Sequence, residues 1–184
     1  MTRPITRPLS QRGAALMEAL VAMLIVAFGV LGFVGLQART AVSNLEGYQR
    51  AQALVLVHDM AQRMNANRKD LESYLAQDIG TGDTPVTCAG SPGATRDLCE
   101  WGNLIRGSAK VDSGGKGVGA MLNAYGCIAH GPSFATTGEY IVAVYWQGIQ
   151  ATSDTTVSCK SPAPATPDPL RRGASVVVRV GTLG

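Results

Sequence analysis

A single carboxylate, Glu18, lies inside a long apolar segment near the N-terminus, and its type and place suggest specific chemistry. The segment runs from Ala14 to Leu36 and contains no other charged residue. A carboxylate within a membrane is costly unless a partner neutralises it, so such residues generally have a function. Cleavage of the chain between Gly13 and Ala14 would create an α-amine. The ammonium group of one chain could then neutralise Glu18 of a neighbouring chain.

The apolar segment is long enough to cross a membrane as a helix. Its 23 residues, 14–36, would span about 34 Å, and the hydrocarbon core of a bilayer is about 30 Å thick. A secretory signal peptide has a shorter apolar region followed by a small-residue cleavage site, which residues 37–41 do not provide. Arg3, Arg7 and Arg12 precede the segment and favour a cytoplasmic N-terminus. A plain single-pass anchor is one interpretation.

The net charge of +3 belongs to the N-terminal leader alone. Residues 1–13 carry three arginines and no acid, and the other 13 basic and 13 acidic residues cancel. Charged residues are 16% of the chain, against about 25% in an ordinary soluble domain. Aromatic residues are 5%, so neither a basic face nor a stacking platform is indicated. We therefore expect no nucleic-acid partner.

The N-terminal residues resemble the signal of a known protein family. Arg12-Gly13 followed by AALMEALVAMLI resembles the type III signal of type IV pilins and type II secretion pseudopilins, and the continuation FGVLGFVGLQ is similar to PilV-type minor pilins. The resemblance implies that a prepilin peptidase cuts after Gly13 and N-methylates Ala14, and that Glu18 guides docking into the filament. Many major pilins have Phe and a helix-breaking Pro where this chain has Ala14 and Gly35.

Helical spacing continues beyond the apolar segment. Apolar residues form one stripe at helical spacing from Ala38 to Tyr48 and another from Ala53 to Leu75 with steps of 4, 3, 4, 7 and 4, and polar residues lie on the other face. Gly80 stands where a helix of this length would need a C-terminal cap. We therefore predict a cleaved leader over 1–13, a transmembrane and assembly helix over 14–36, and an amphipathic continuation of the helix over 37–79.

Residues 80–184 are predicted to form a periplasmic globular head. Strands are predicted at Tyr125–Ala129, Tyr140–Trp146 and Ser175–Val180, where β-branched and aromatic residues are concentrated. Residues 81–138, apart from the first strand, are rich in Gly, Ser, Thr and Pro and are expected to be irregular. The order of long helix, irregular loop and antiparallel strands predicts an α+β protein with the type IV pilin fold.

All four cysteines of the chain lie in the predicted head. No Cys-x-x-Cys motif occurs, so a zinc site is disfavoured. An even number of cysteines outside the membrane fits two disulfides in an oxidising compartment. Three pairings are possible. We favour Cys88–Cys99, which closes a short Gly/Pro-rich loop, and Cys127–Cys159, which ties the strand region to the loop after it.

No motif in the head supports catalysis or cofactor binding. The run 113–119 lacks the first Gly and the Ser/Thr of a phosphate-binding loop. The run 131–135 lacks the second Gly of a nucleophile elbow. Asp97 and Glu100 are interpreted as a solvated carboxylate pair, and His130 as a hydrogen-bonded loop residue. We expect no enzymatic activity, no cofactor or metal, and no small-molecule substrate.

Together these features predict a filament subunit that is first inserted in the bacterial inner membrane with its head in the periplasm. The resemblance to the PilV branch implies a minor pilin that supports pilus assembly, twitching motility and adhesion. Its implied partners are the prepilin peptidase and other major and minor pilins. Two alternatives remain, a minor pseudopilin of type II secretion and a non-assembling, anchored periplasmic binding domain.

Overall fold

The chain adopts an α+β fold. The computed structural model describes residues 12–82, 84–107, 112–115, 117, 121–152 and 168–179, and the side chains from Ala14 onward. The chain divides into two units, Met1–Asn44 and Leu45–Gly184, which are described separately.

The described part of the first unit is the N-terminal portion of helix α1 (Arg12–Ala66). Among the described residues, α1 is the one helix long and apolar enough to cross a membrane, by length and composition. Every large apolar side chain from Leu16 to Leu36 is more than half exposed. This surface is therefore left for lipid or for other protein to cover.

The second unit combines the end of α1 with a small antiparallel sheet. The sheet is a meander in which each strand pairs with the next, in the order β1-β2-β3-β4. The elements after α1 are a 3₁₀ helix (Arg68–Tyr74), β1 (Ala76–Ile79), α2 (Ala94–Ile105), β2 (Tyr125–His130), α3 (Phe134–Thr137), β3 (Glu139–Gln147) and β4 (Arg171–Arg179).

Strand β3 is central and contributes to an apolar cluster on each face of the sheet. Val142 and Val144 are fully buried in the main core, which also contains side chains of α1 and α2. Ala143 and Tyr145 alternate with them and are buried with Cys127 in a second cluster. Successive side chains of a strand point to opposite faces. Because both faces of β3 are buried, the strand must be apolar at consecutive positions.

Helix α1 ends at Ala66, so the prediction of a helix over 37–79 is wrong in its last part. Asn67 has φ −116° and ψ 49°, outside the helical region, and the chain then tightens into the 3₁₀ helix. Asparagine competes with helical hydrogen bonding through its own side chain and favours such ends. The 3₁₀ turn still buries Leu71 and Tyr74, which explains why the apolar spacing persisted after the α-helix had ended.

Gly80 was expected to cap that helix, but it closes the turn after β1. Its φ of +81° lies in the left-handed region, and a Cβ there would lie 2.7 Å from Cβ of Ile105. Both the backbone conformation and the close approach of α2 therefore require glycine at this position.

Helix α2 lies in the segment 81–138 that was expected to be irregular. Its apolar residues Ala94, Leu98, Trp101 and Ile105 are spaced by four, three and four positions, which is helical spacing. This stripe has only four residues and lies within a segment rich in Gly, Ser, Thr and Pro, so the helical pattern in the sequence is weak.

The three predicted strands are found with longer bounds. β2 and β3 contain Tyr125–Ala129 and Tyr140–Trp146, and β4 begins four residues before Ser175. The last residue of the third predicted strand, Val180, lies outside the described residues.

A disulfide joins Cys88 to Cys99. Because Cys99 lies on α2, this bond fastens the preceding loop to that helix. The second predicted pair includes Cys159, which lies outside the described residues, so that pairing stays a prediction. Its proposed partner Cys127 is buried in the second cluster.

Candidate functional site

The candidate assembly segment is the apolar part of α1 around Glu18. The side chain of Glu18 is exposed, and its neighbours Met17 and Val21 are 65% and 55% exposed. No basic residue lies within four positions of Glu18 in the sequence, so no cation on an adjacent helical turn can neutralise it. In an apolar environment its charge therefore requires a partner from elsewhere.

The predicted cleavage site lies at the start of the same helix. Gly13 and Ala14 fall in the first turn of α1, which begins at Arg12. Residues 1–11, which make up most of the predicted leader, lie outside the described residues. The described geometry therefore places Ala14 one helical turn before Glu18.

In the second unit, the most extensive polar cluster is centred on Arg63. Its Nε lies 3.0 Å from Asp59 Oδ2, and its Nη1 lies 3.1 Å from Asp97 Oδ1 and 2.8 Å from Glu100 Oε2. Arg96 also binds Glu100, at 2.8 Å. The interpretation of Asp97 and Glu100 as a solvated pair is therefore wrong, because both clamp α2 to α1 through a guanidinium group.

The protonation of this cluster follows from its contacts. Hydrogen bonds from Arg63, and then from Arg96, hold the pKa of Glu100 below its ordinary value. Tyr74 is fully buried and donates to Asp97 Oδ2 at 2.5 Å. Burial and this bond raise the pKa of Tyr74. The carboxylates are thus engaged as acceptors, and the cluster acts as an interhelical clamp.

His130 lies at the end of β2 and not in a loop. Its Nε2 is 3.1 Å from Glu72 Oε1, and its ring stacks on Phe134 with centroids 3.6 Å apart. Tyr140 donates to the same Glu72 oxygen at 2.6 Å. The hydrogen bond from Tyr140, and then that from His130, lower the pKa of Glu72, while burial and Glu72 raise the pKa of Tyr140 to about 12.

A carboxylate that holds an imidazole can orient a general base, and a cavity lies beside Glu72. The cavity has a volume of about 500 Å³. None of its lining residues is Ser, Thr or Cys, which are the usual nucleophiles next to a histidine base. Glu72 and His130 join the 3₁₀ helix to β2. The lining residues are Arg68, Lys69, Asp70, Leu71, Glu72, Phe134, Gly138 and Tyr140.

Metal binding finds no support in the described part of the chain. Within it, no group of three or more His, Cys, Asp and Glu side chains is arranged to hold an ion. A structural or catalytic metal site requires such a set of ligands.

Glu46 holds the loop after β3, a role that the sequence did not reveal. Its Oε1 accepts hydrogen bonds from the backbone N–H of Ile149 at 3.2 Å and of Gln150 at 3.1 Å. Arg172 Nη2 approaches the same oxygen at 3.4 Å. The bond from Gln150 is the main reason that the pKa of Glu46 is lowered. These partners are more than 100 residues from Glu46 in sequence, so local spacing could not predict them.

Comparison with protein families gives one match. Residues 35–100 match the family described as Tt1218-like, Type IV pilin Tt1218. The match covers about a third of the chain, from the end of the apolar segment into α2. None of the curated proteins or solved structures compared with the chain matches it significantly.

The family match and the architecture agree. The long apolar helix, the four-stranded antiparallel sheet and the disulfide confirm the predicted α+β architecture and are consistent with the type IV pilin fold. The match supports the type IV pilin family and a pilin role in a pilus. A structural, membrane-anchored and then pilus-associated protein fits these observations.

Proposed function

We propose that this chain is a minor pilin of a type IV pilus. A prepilin peptidase cuts it after Gly13, α1 holds it in the inner membrane, and Glu18 docks it into the growing filament. The observation that carries this proposal is the exposed segment 14–36, which is apolar apart from one carboxylate near its start.

The exposed segment requires a non-aqueous environment throughout the life of the protein. Fourteen large apolar side chains between Leu16 and Leu36 are more than half exposed. Burying such a side chain completely contributes about 1.5–3 kcal/mol, and covering its exposed half or more contributes the corresponding part of that free energy. A bilayer supplies that cover before assembly, and the equivalent segments of neighbouring subunits supply it in a filament.

Glu18 distinguishes these two environments. Lipid covers the apolar side chains but leaves the carboxylate without a partner. In a filament, the ammonium group of a neighbour's Ala14 neutralises it. The charge of Glu18 is therefore more stable in the filament than in the bilayer. Cleavage after Gly13 must come first, because it creates the amine that neutralises this charge.

The orientation with the head in the periplasm has two sources of support. The leader carries three arginines and no acid, which favours a cytoplasmic N-terminus. The disulfide Cys88–Cys99 lies in the second unit, and disulfides persist in oxidising compartments such as the periplasm. Both observations support a head that lies across the inner membrane from the leader.

The assignment to minor pilins rests on the residues similar to the PilV branch. The stretch FGVLGFVGLQ and the Gly35 in place of proline separate this chain from many major pilins. A minor subunit of this kind primes filament assembly with other major and minor pilins, and thereby supports twitching motility and adhesion.

The test compares Glu18→Ala with Leu20→Ala, a neutral substitution two residues away on the same exposed segment. We expect Glu18→Ala to be cleaved normally and to reduce surface pili and twitching, with Leu20→Ala close to wild type. Immunoblotting follows cleavage, and electron microscopy and stab-agar motility assays follow the pili. Unchanged piliation in Glu18→Ala would count against the proposal, and a defect in protein secretion would indicate a pseudopilin.

The N-terminus of the mature chain tests processing separately. Mass spectrometry of the protein from sheared pili is expected to find Ala14 as the first residue, with one added methyl group. A Gly13→Leu variant should retain the leader and remain in the membrane. Recovery of an intact leader in assembled pili would contradict the proposed cleavage.

A further inference from the structure

We propose that the outer edge of β4 (Arg171–Arg179) binds an extended segment of a different pilin subunit, which adds a strand to the sheet and places an acidic residue opposite Arg179. This inference rests on the proposed function, because it takes the partner to be another subunit of the filament.

Strand β4 forms a long and regular edge of the sheet. Within the described residues it pairs with β3 alone, through nine successive residue pairs from Glu139↔Arg179 to Gln147↔Arg171 without a bulge. Proteins usually protect such edges by short strands, bulges, prolines or central charges. Residues 173–178 of β4 contain no charged residue and no proline, so none of these protections is present.

The opposite edge of the sheet differs in each of these respects. β1 has four residues, and its pairing with β2 has a register irregularity between Ala76 and Ile79. Helix α2 also packs beside it, since a Cβ on Gly102 would lie 3.2 Å from Cγ2 of Ile79. Within the part of the chain that the structure describes, β4 is therefore the edge open to an added strand.

The backbone of β4 supplies the hydrogen-bonding groups for a partner. In an antiparallel pair, every second residue directs its N–H and C=O away from the neighbouring strand. Nine residues thus present about four donors and four acceptors along the outer edge. Gly173, Ser175 and Val177 are exposed and lie on the same face of the sheet.

Charge decides what kind of strand fits. Arg179 binds Glu139 Oε2 through Nε at 3.1 Å and Nη2 at 3.0 Å, and the side chain of Arg179 remains 66% exposed whereas that of Glu139 is 5% exposed. An incoming strand therefore meets the guanidinium group and not the carboxylate. An acidic side chain opposite Arg179, followed by uncharged residues along the centre of β4, complements this pattern.

The same charges disfavour a second copy of this chain. An antiparallel β4–β4 pair centred on Ser175 would place Arg179 opposite Arg171, and a parallel pair in register would place each arginine against itself. Like charges directly opposite each other destabilise strand pairing. In both of these registers a second copy is disfavoured, so a strand of a different sequence fits the edge better.

Photocrosslinking in assembled pili tests the inference. A photoreactive amino acid replaces Ser175 in the full chain, expressed in cells that make pili, and the crosslinked peptide is sequenced by mass spectrometry. We expect an adduct with an extended segment of another pilin that carries Asp or Glu near the position facing Arg179. Adducts only with a second copy of this chain, only with lipid, or none in pili that contain the protein would overturn the inference.

Two variants test the chemistry of the edge. Val177→Lys should reduce the adduct about tenfold, because a central charge blocks strand addition, while the matched control Val177→Thr should retain it. Arg179→Gln should reduce the adduct about two- to fivefold, the effect of one cross-strand charge pair. The melting temperature of each variant must stay near that of the wild type, as expected for exposed positions.

The outcomes separate this inference from the function on which it rests. If the wild-type chain is absent from pili, the proposed function fails. If the chain is present in pili and Val177→Lys assembles and crosslinks as well as Val177→Thr, the function stands and the strand-addition surface is wrong.

Discussion

Trp101 on α2 donates its indole N–H to the backbone carbonyl of Leu56 on α1, with 2.8 Å between the nitrogen and the oxygen. Its ring is fully buried and covers Gly126 of β2, where a Cβ would overlap the ring atoms. One side chain thus connects α1, α2 and the sheet. The bond fixes the position of α2, and the packing fixes its distance from the sheet.

Substitution of Trp101 separates these two contributions. Trp101→Phe keeps most of the ring but loses the N–H, so we expect the free energy of unfolding to fall by about 1 kcal/mol plus a smaller loss of packing. Trp101→Ala should cost about 3–5 kcal/mol because it leaves a cavity. Denaturant unfolding of the full chain in detergent measures both. Val86→Ala, at a position that is 49% exposed, is the control and should change stability by less than about 0.5 kcal/mol.

Gly126→Ala approaches the same contact from the sheet. The added methyl group must displace the Trp101 ring, so we expect a loss of about 1–3 kcal/mol by overpacking. In the double variant Gly126→Ala with Trp101→Ala, the methyl group has room and its cost should largely disappear. Additive effects in this double-mutant cycle would contradict the direct contact.

The Arg63 clamp predicts unequal effects for two arginines. Arg63 contacts three carboxylates and its side chain is 24% exposed, whereas Arg96 contacts one and is 45% exposed. Arg63→Met leaves Asp59 and Asp97 without a cation in a partly desolvated place, which should cost about 1–3 kcal/mol. Arg96→Met should cost less than about 1 kcal/mol. Equal losses for the two variants in thermal unfolding would contradict the clamp.

The sequence predicted the architecture well because its strongest signals are periodic. The apolar segment, the helical spacing beyond it and the β-branched run of β3 are each imposed by burial on a regular geometry. The end of α1 was missed because the 3₁₀ helix buries Leu71 and Tyr74 at nearly the spacing of an α-helix. Helix α2 was missed because its apolar stripe of four residues is short and lies within a segment rich in loop-forming residue types.

The polar contacts of the head could not be predicted in the same way. Glu46 binds residues 103 and 104 positions away, and Arg63 binds Glu100 across 37 positions. Such pairs depend on how helices and strands pack, and one sequence gives no signal for them. Glu18 is a candidate from the sequence alone because a single charge in an apolar run stands out without any knowledge of the fold, and its role stays a prediction.

Acid should weaken the head through the carboxylates whose pKa values are lowered. Hydrogen bonds from Arg63 and Arg96 lower the pKa of Glu100, and those from Tyr140 and His130 lower the pKa of Glu72. The unfolded chain therefore takes up protons at higher pH than the folded chain. The stabilisation is present above the ordinary glutamate pKa and is lost as pH falls through the lowered folded values. We expect the melting temperature to decrease as the pH is lowered below about 4.5.

Glu100→Gln tests the contribution of one carboxylate to this acid sensitivity. Its melting temperature should be lower than that of the wild type at neutral pH and should fall less steeply in acid, because one proton-linked group is gone. In an Arg63→Met background, Glu100→Gln should change the slope of melting temperature against pH by less. The hydrogen bond from Arg63, which is the main cause of the lowered pKa of Glu100, is already absent there. If the melting temperature of Glu100→Gln fell in acid as steeply as that of the wild type, Glu100 would not contribute to the acid sensitivity.

The disulfide on α2 and the side chain of Asn103 should hold the same loop by different means. Asn103 Oδ1 accepts from the N–H of Val86 at 2.8 Å, and its Nδ2 donates to the carbonyl of Val86 at 2.7 Å. Replacing Cys88 and Cys99 by Ser should lower the free energy of unfolding by about 2–4 kcal/mol, chiefly through the unfolded chain. The folded loop should keep its amide protection, because Asn103 still binds it. In contrast, Asn103→Ala with the disulfide intact should increase hydrogen exchange at Val86.

Peptide mapping without reductant should recover Cys88 joined to Cys99 and, as the sequence predicts, Cys127 joined to Cys159. A peptide that joins Cys99 to Cys127 would contradict both pairings.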